Sequence, residues 1–275
     1  MRIRPYSGVI LTFNEASTIE GAIDSLLKVC TEVVVLDSDS TDNTCAIATS
    51  CGAKVINRSF DNYANQRNFA LNCIDFNNEL ILMFDADERL SPCLVDELLN
   101  FAPSIEFSMG RIRRIDFYKG HPLKRSVGYP TWGARVFRAG SVDVIRDVNE
   151  EFIPNGKIHY FQEHFYHFPF MKGLRWWFER HAKYADMEAT VLLERNMKIN
   201  LLSLISVDSG LRRSAWKNMV YKLPFRPLII FIYFYIINMG FLDGKAGFLY
   251  CYQRFVYECM INSFRSNKTL EKTII

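Results

Sequence analysis

Leu80-Ile81-Leu82-Met83-Phe84-Asp85-Ala86-Asp87-Glu88-Arg89 is an apolar run that stops abruptly on a pair of aspartates. An unbroken apolar run of this length reads as a strand buried on both faces. Such strands belong to parallel sheets covered by helices on either side. Two earlier runs end in the same way. Gly8-Val9-Ile10-Leu11-Thr12-Phe13 reaches Asn14-Glu15, and Val33-Val34-Val35-Leu36 stops at Asp37. Helical patterns lie between them, first through Ile19, Ile23, Leu26 and Leu27. The next runs through Ala46, Ile47 and Ala48, with Thr41-Asp42-Asn43 offering caps. Gly52 ends that helix, Ala53-Lys54-Val55-Ile56 makes a third strand, and a helix follows over 64–74. Ser91-Pro92 supplies the cap and first position of another helix, running to about Phe101. The alternation predicts an α/β fold whose mostly parallel sheet is flanked by helices.

Further along, residues 105–170 read as β-like and irregular. Leu174 to about Asn196 carries Leu174, Trp177, Phe178, His181, Tyr184 and Ala185 on one face of an amphipathic helix. Leu228–Ile237 is apolar around its circumference, Gly240–Gly244 is a break, and an aromatic helix runs on through Met260.

Hydrophobic residues at 49% and charged residues at 23% describe a globular chain, long enough for one large domain with an appendage. The net charge of +3 hides an asymmetry: residues 1–194 carry 21 basic and 26 acidic side chains, residues 195–275 carry 12 and 4. A basic, apolar tail suits an anionic partner, nucleic acid or a lipid surface. Seven scattered cysteines without a C-x-x-C pair argue against a disulfide scaffold and a zinc ribbon. They fit a reducing compartment and the role of small buried hydrophobes. The apolar run at Ser7 meets polar Asn14-Glu15 at once, so it reads as a first strand rather than a secretory signal.

In open α/β sheets ligands bind beyond the carboxyl ends of the strands. Here those ends carry Glu15, the cluster Asp37, Asp39 and Asp42, and the cluster Asp85, Asp87 and Glu88. Carboxylates gathered at one edge repel one another unless a cation or a basic ligand sits among them, which points to a divalent metal. Residues two apart in an extended segment face the same side, so Asp85 and Asp87 can address one ion. Hard oxygen ligands suit Mg²⁺ or Mn²⁺ shared with substrate phosphates. Neither a G-x-G-x-x-G nor a P-loop string is present.

Four strings in order carry a resemblance: Val9–Glu15, Val34–Asp42, Gln66-Arg67-Asn68-Phe69-Ala70-Leu71 and Phe84–Arg89. Together they resemble the family 2 glycosyltransferases, in the branch that builds lipopolysaccharide core and exopolysaccharide. His167-Phe168-Pro169-Phe170 through Glu188-Ala189, and Gly240–Gly244, extend the likeness over most of the chain. The resemblance implies a GT-A catalytic domain over 1–170, with a nucleotide-binding half (1–104) and an acceptor half (105–170). Residues 171–275 form a helical C-terminal region. It also implies that Asp37, with Asp39 beside it, contacts base or ribose, and that Thr12 and Glu15 line the nucleotide pocket. Arg67 would lie against the nucleotide, while Asp85 and Asp87 hold the metal on the diphosphate, Asp87 the more direct ligand. The branch commonly shows Val-His-Glu in its acceptor half; Val148-Asn149-Glu150 stands here, which makes Glu150 the candidate base, with Glu151 and Asp147 as alternatives. The implied activity is inverting transfer of a sugar from a nucleotide diphosphate, UDP as the family's usual carrier, to a lipid-linked or lipopolysaccharide acceptor. Two rivals are weighed against it. A nucleotidyltransferase would carry a glycine-rich basic loop after strand one, and a non-enzymatic membrane adaptor has no reason to keep both Asp85 and Asp87.

Other residues take the plainer reading first. His181 is expected in the core, His159, His164 and His167 on a strand face, Trp176 and Trp177 in packing, and Arg135 and Arg138 on the solvated surface. Leu228–Ile237 is too short to cross a bilayer, which needs about 20 apolar residues. Flanked by Lys217, Lys222, Arg226 and Lys245, it reads as a helix in the headgroup region or a shallow re-entrant hairpin, with burial or a subunit interface as the alternative. The expected protein is cytoplasmic and peripheral on the inner membrane face. Its expected partners are a nucleotide-sugar donor and a glycolipid acceptor, not nucleic acid, and a homo-oligomer is left open.

Overall fold

The computed structural model describes residues 4–145, 151–194 and 225–274, with positions 215, 219 and 223. The chain divides into two units, Met1–Pro122 with Tyr129–Met171, and Leu123–Gly128 with Lys172–Ile275.

In the first unit, β1 (Tyr6–Thr12), β2 (Cys30–Asp37), β3 (Lys54–Asn57) and β4 (Leu80–Asp85) alternate with α1 (Ile19–Leu26), α2 (Thr44–Ser50) and α3 (Tyr63–Asn72). The four strands lie parallel in the order β3-β2-β1-β4. Next come β5 (Glu88–Leu90), α4 (Pro92–Asn100), β6 (Phe107–Tyr118), β7 (His121–Leu123), β8 (Thr131–Arg138), β9 (Val142–Ile145), β10 (Glu151–Pro154) and β11 (Lys157–His167). The sheet continues past β4 as β8-β6-β11-β5. There β8 is antiparallel to both β4 and β6, and β11 parallel to β6. β9 and β10 form a separate antiparallel hairpin. The irregular sequence of 105–170 has a physical cause: the register shifts between Gly110 and Arg111 and again between Tyr160 and His164. Each shift interrupts the period-two alternation that a strand otherwise shows.

Burial on both sheet faces explains the continuous apolar strands. On one face Ile10, Val35, Leu82 and Phe84 pack with Ile19, Ile23 and Leu26 of α1 and Leu94 and Leu98 of α4. On the other, Val9, Val34, Leu36, Ile81 and Met83 pack with Ala64, Ala70 and Leu71 of α3. A parallel βαβ half continued by antiparallel strands is the expected GT-A arrangement.

Local chemistry sets the helix starts. Ser91 Oγ accepts from the Leu94 amide at 3.1 Å with Pro92 inside the first turn, as expected. Asn43 makes no side-chain cap; the Asp42 carboxylate instead accepts from the Thr44 amide at 2.9 Å. The cysteines depart from expectation in part, because Cys73 and Cys93 are exposed while Cys30 and Cys251 are buried.

Apart from the non-helical segment Leu123–Gly128, the second unit's described elements are helical: Gly173–Glu194, Arg226–Ile232 continuing as a wider turn through Ile237, a tight turn at Gly240–Asp243, and Gly244–Ile274. Ala185, Ala189 and Leu192 pack against Ile261. His181 is half-buried at the edge of this packing rather than inside the core: its ring stacks on buried Trp177 at 3.7 Å and Nδ1 lies 2.8 Å from the Trp177 carbonyl. No single described helix is long and apolar enough to cross a membrane, but the pair Arg226–Ile237 and Gly240–Glu271, bent by 72°, passes the length and composition test together.

Candidate active site

Strand register brings the expected residues to one edge of the first unit. Thr12 lies opposite Asp37, and its neighbour Leu11 lies opposite Asp85. Adjacent strands stand about 4.8 Å apart, so Thr12, Asp37 and Asp85 close the carboxyl ends of three consecutive strands.

Asp37 is 1% exposed and organises the loop that follows it. One carboxylate oxygen accepts from Thr12 Oγ1 at 2.9 Å and Ser40 Oγ at 2.6 Å, the other from the Ser40 amide at 2.7 Å. The loops after β1 and β2 are tied together. Asn14 Oδ1 accepts from the amides of Thr41 and Asp42, and the Glu15 amide donates to Thr44 Oγ1 at 2.7 Å. Asn14 and Asp39 both take positive φ, 55° and 61°, a region that Asn and Asp tolerate better than most side chains. The Glu15 carboxylate accepts from Thr18, and Asp39 faces solvent.

The second cluster follows β4. Residues 86–87 turn rather than continue extended, so the two-apart geometry expected for Asp85 and Asp87 does not occur. Each acid meets its own partners. Asp85 lies 3.5 Å from Arg67 on α3 and 3.2 Å from Arg135 on β8. Burial acts to raise its carboxyl, but the two guanidiniums outweigh that and hold it below the usual carboxylate range. Asp87 Oδ2 lies 3.5 Å from His167 Nε2, at the end of β11. His167 Nδ1 lies 2.6 Å from Asp116, a buried acid on β6 also held by Arg114 at 2.9 Å. Burial opposes charge on this imidazole, yet Asp87 and Asp116 prevail and raise it to about 10.

The turn itself is stapled. Arg89 donates to the carbonyls of Ala86, Glu88 and Thr18 at 2.6–2.8 Å. Gly21 leaves room for it, because a Cβ there would come within 2.9 Å of the Arg89 guanidinium. Glu88 is 1% exposed and forms a two-pronged pair with Arg135.

Thr12, Glu15, Asp37, Asp39, Arg67, Asp85 and Asp87 therefore fall on the loops and elements at these strand ends. Glu150 and Asp147 lie outside the described residues; Glu151 opens β10 and is exposed. Two plain readings need correction. Arg135 is buried and paired rather than a surface arginine, and His167 ends its strand among acids rather than on an ordinary strand face. Glu88 and Asp116 were not singled out as partners. Glu88 stands directly beside Asp87, whereas nothing local in the sequence marks Asp116.

Among the described residues no group of three or more His, Cys, Asp or Glu is placed to cage an ion alone. Mg²⁺ and Mn²⁺ do not need such a cage, since one or two carboxylates with waters and substrate phosphates suffice. The partly exposed carboxylates of Asp85 and Asp87, 35% and 22%, fit that donor chemistry.

This fold, with acids, the buried Arg135 and the half-buried Arg67 at the carboxyl edge of a parallel half-sheet, defines a GT-A domain. Residues 7–137 match the model of Glycosyl transferase family 2, and this part of the chain is a family 2 glycosyltransferase domain. That sets aside the nucleotidyltransferase alternative. An uncharacterized glycosyltransferase of Rickettsia bellii is 47% identical over 92 residues, 34% of this chain and 31% of its own length. The matched segment thus spans about a third of that relative. A lipopolysaccharide core biosynthesis glycosyltransferase of Rhizobium meliloti is 27% identical over 265 residues, 90% of this chain and 89% of its own. Glucosyl-3-phosphoglycerate synthase of Mycobacterium tuberculosis, crystallised with Mn²⁺, UDP and glucosyl-3-phosphoglycerate, is 24% identical with a TM-score of 0.33, covering 42% of this chain and 44% of its own.

Proposed function

We propose that the protein is an inverting, metal-dependent glycosyltransferase. It moves a sugar from a nucleotide diphosphate, a UDP-sugar, to a lipid-linked, lipopolysaccharide or exopolysaccharide acceptor at the cytoplasmic face of the cell membrane. The observation that carries this reading is the placement of Asp37 and of Asp85, with Asp87 just after it, at the carboxyl ends of the two strands that flank β1 in a family 2 domain. The first site suits a nucleoside and the second a diphosphate. Similarity along nearly the whole chain to a lipopolysaccharide core glycosyltransferase supports the acceptor class.

In this reading the nucleoside lies against Thr12, Glu15 and Asp37, with Asp39 at the rim and Arg67 against the nucleotide. Asp87, and Asp85 shared with its two arginines, would hold Mg²⁺ or Mn²⁺. The ion supplies charge neutralisation for the departing diphosphate. His167, locked by Asp116, holds the Asp87 carboxylate in place. Glu150 takes the proton from the acceptor hydroxyl as that oxygen attacks the anomeric carbon in a single displacement, which inverts the centre. Residues 1–104 serve the nucleotide and 105–170 the acceptor.

The test is release of free nucleoside diphosphate from a panel of nucleotide sugars with Mn²⁺ or Mg²⁺, first alone and then with membrane lipid extract. Metal-dependent release from one donor, reduced by orders of magnitude in Asp87→Ala, supports the reading. Near-normal release in that variant would sink the metal assignment. Absence of both release and nucleotide binding would return the chain to the adaptor class.

A further inference from the structure

We propose that the bend between Arg226–Ile237 and Gly240–Glu271 is a preformed tip that docks on an anionic lipid surface, its apolar side chains entering the headgroup boundary and Lys124, Arg125 and Lys245 meeting the phosphates. This deepens the membrane-face reading above but does not depend on sugar transfer.

The apolar part is concentrated rather than scattered. Between Ile236 and Leu242 only Asn238 and Gly240 interrupt a run of large exposed apolar side chains: Ile236, Ile237, Met239, Phe241 and Leu242. Single exposed apolar residues need no explanation, but such a cluster does. Tyr233 and Tyr252, each about half exposed, add side chains suited to the membrane–water boundary.

The backbone of the tip is prepared for a medium poor in water, where every polar group needs an internal partner. The amides of Asn238, Met239 and Leu242 donate to the carbonyls of Tyr233, Ile236 and Met239 at 2.8, 3.0 and 2.9 Å. Gly240 and Gly247 let the segments approach: a Cβ on Gly240 would meet the Phe234 carbonyl, and one on Gly247 the Gly240 carbonyl. The bend is therefore held by close packing before any surface is met.

Charge selects the partner. Asp243 is the only acid between Phe225 and Cys251. Its carboxylate is turned inward, accepting from the amides of Lys124, Arg125 and Ser126 at 3.2, 2.9 and 2.9 Å and from the Ser126 hydroxyl at 2.8 Å. One side chain thus absorbs the local negative charge and pins two exposed cations beside the tip, with exposed Lys245 following two residues on. A second copy of this surface would set like charges against each other, whereas an anionic leaflet complements both its apolar and its basic parts.

The experiment is flotation of the full chain with vesicles of phosphatidylcholine plus phosphatidylglycerol, and with phosphatidylcholine alone. The wild type should float with the anionic vesicles and much less with the neutral ones. Lys124→Gln with Arg125→Gln should lower partitioning roughly thirtyfold, as two surface cations are lost. Phe241→Ser with Leu242→Ser should lower it at least about tenfold on both vesicle types. A wild type that stays unbound, or tip and cation variants that float like it, would overturn the proposal. So would a concentration-dependent dimer, seen by light scattering, that the tip variant abolishes. Nucleotide release without vesicles, measured in parallel, separates the two readings: it should be unchanged in the tip variant, and its absence in a wild type that still floats would count against sugar transfer alone.

Discussion

Arg135 and Glu88 clasp each other in the interior of the first unit, Nε to Oε2 at 2.7 Å and Nη2 to Oε1 at 2.6 Å. The guanidinium also lies over the rings of Phe84 and Phe165, at 5.9 and 5.3 Å from their centres, and reaches Asp85 at 3.2 Å. A two-pronged pair of this kind fixes direction as well as charge, so it aims Asp85 from behind. Removing one partner leaves the other buried and uncompensated. Arg135→Met should therefore destabilise the protein by roughly 3–5 kcal/mol. Glu88→Met in the same chain should recover much of that loss, because the orphaned charge is gone while apolar volume is kept. Urea unfolding of both variants and their combination checks this; a double variant less stable than Arg135→Met would refute it.

Asp37 is the acceptor on which the β2 loop closes, and its hydrogen bonds include two from hydroxyls and one from an amide. Asp37→Ala should loosen the loop and, on the proposed reading, remove a nucleoside contact with it. Hydrogen bonds to a charged group contribute about 1.5–3 kcal/mol each, so UDP affinity should fall by about tenfold to a hundredfold in titration calorimetry. Thr12→Val deletes one donor to the same carboxylate and should cost less. An Asp37→Ala protein that binds UDP normally would remove Asp37 from the site.

The half-sheet and its acids were legible because parallel strands buried on both faces write themselves as apolar runs, and the residue that ends each run is where the ligand edge lies. Val33–Leu36 delivered Asp37 in this way, and Leu80–Phe84 delivered Asp85. Arg135, Asp116 and His167 were not legible for the opposite reason. They come from β8, β6 and β11, and the pairs that bury them, Arg135–Glu88, His167–Asp116 and His167–Asp87, span 47 to 80 residues of sequence. Register shifts in these strands also break the alternation that would show which side chains point inward. A charged residue buried by a distant partner has no local signature. The turn at Ala86–Asp87 was missed for a related reason, since the strand that resumes at Glu88 pairs with β11 rather than with anything nearby.

Asp116 locks His167, which in turn faces Asp87, so on the proposed reading Asp116 acts on a metal-holding carboxylate without touching the ion. Groups that orient a metal-binding carboxylate typically matter tenfold to a hundredfold in metal affinity. Asp116→Asn should accordingly shift the Mn²⁺ concentration that half-saturates nucleotide release upward by about that factor, with most of the maximal rate retained at saturating metal. A variant that loses rate without any shift in metal dependence would assign Asp116 a merely structural role.

His181 sets a pH limit on the helical unit. Burial against Trp177 pushes its imidazole down to about 4, from an ordinary 6.5. The folded state therefore binds this proton more weakly than the unfolded chain does, and between those values the unfolded chain carries more protons. Stability from this group is complete above about pH 6.5, falls as pH drops from there towards 4, and levels off below. The full swing is at most roughly 3 kcal/mol by the usual conversion of pKa to free energy. Replacing the ring by one that stacks but does not titrate, His181→Phe, should flatten that part of the profile, at the expense of the contact from Nδ1 to the Trp177 carbonyl. Hydrogen exchange of helix Gly173–Glu194 between pH 4 and 7, corrected for the intrinsic rate, reads the effect locally. An equal slope in wild type and His181→Phe would show that some other group carries the acid sensitivity of this unit.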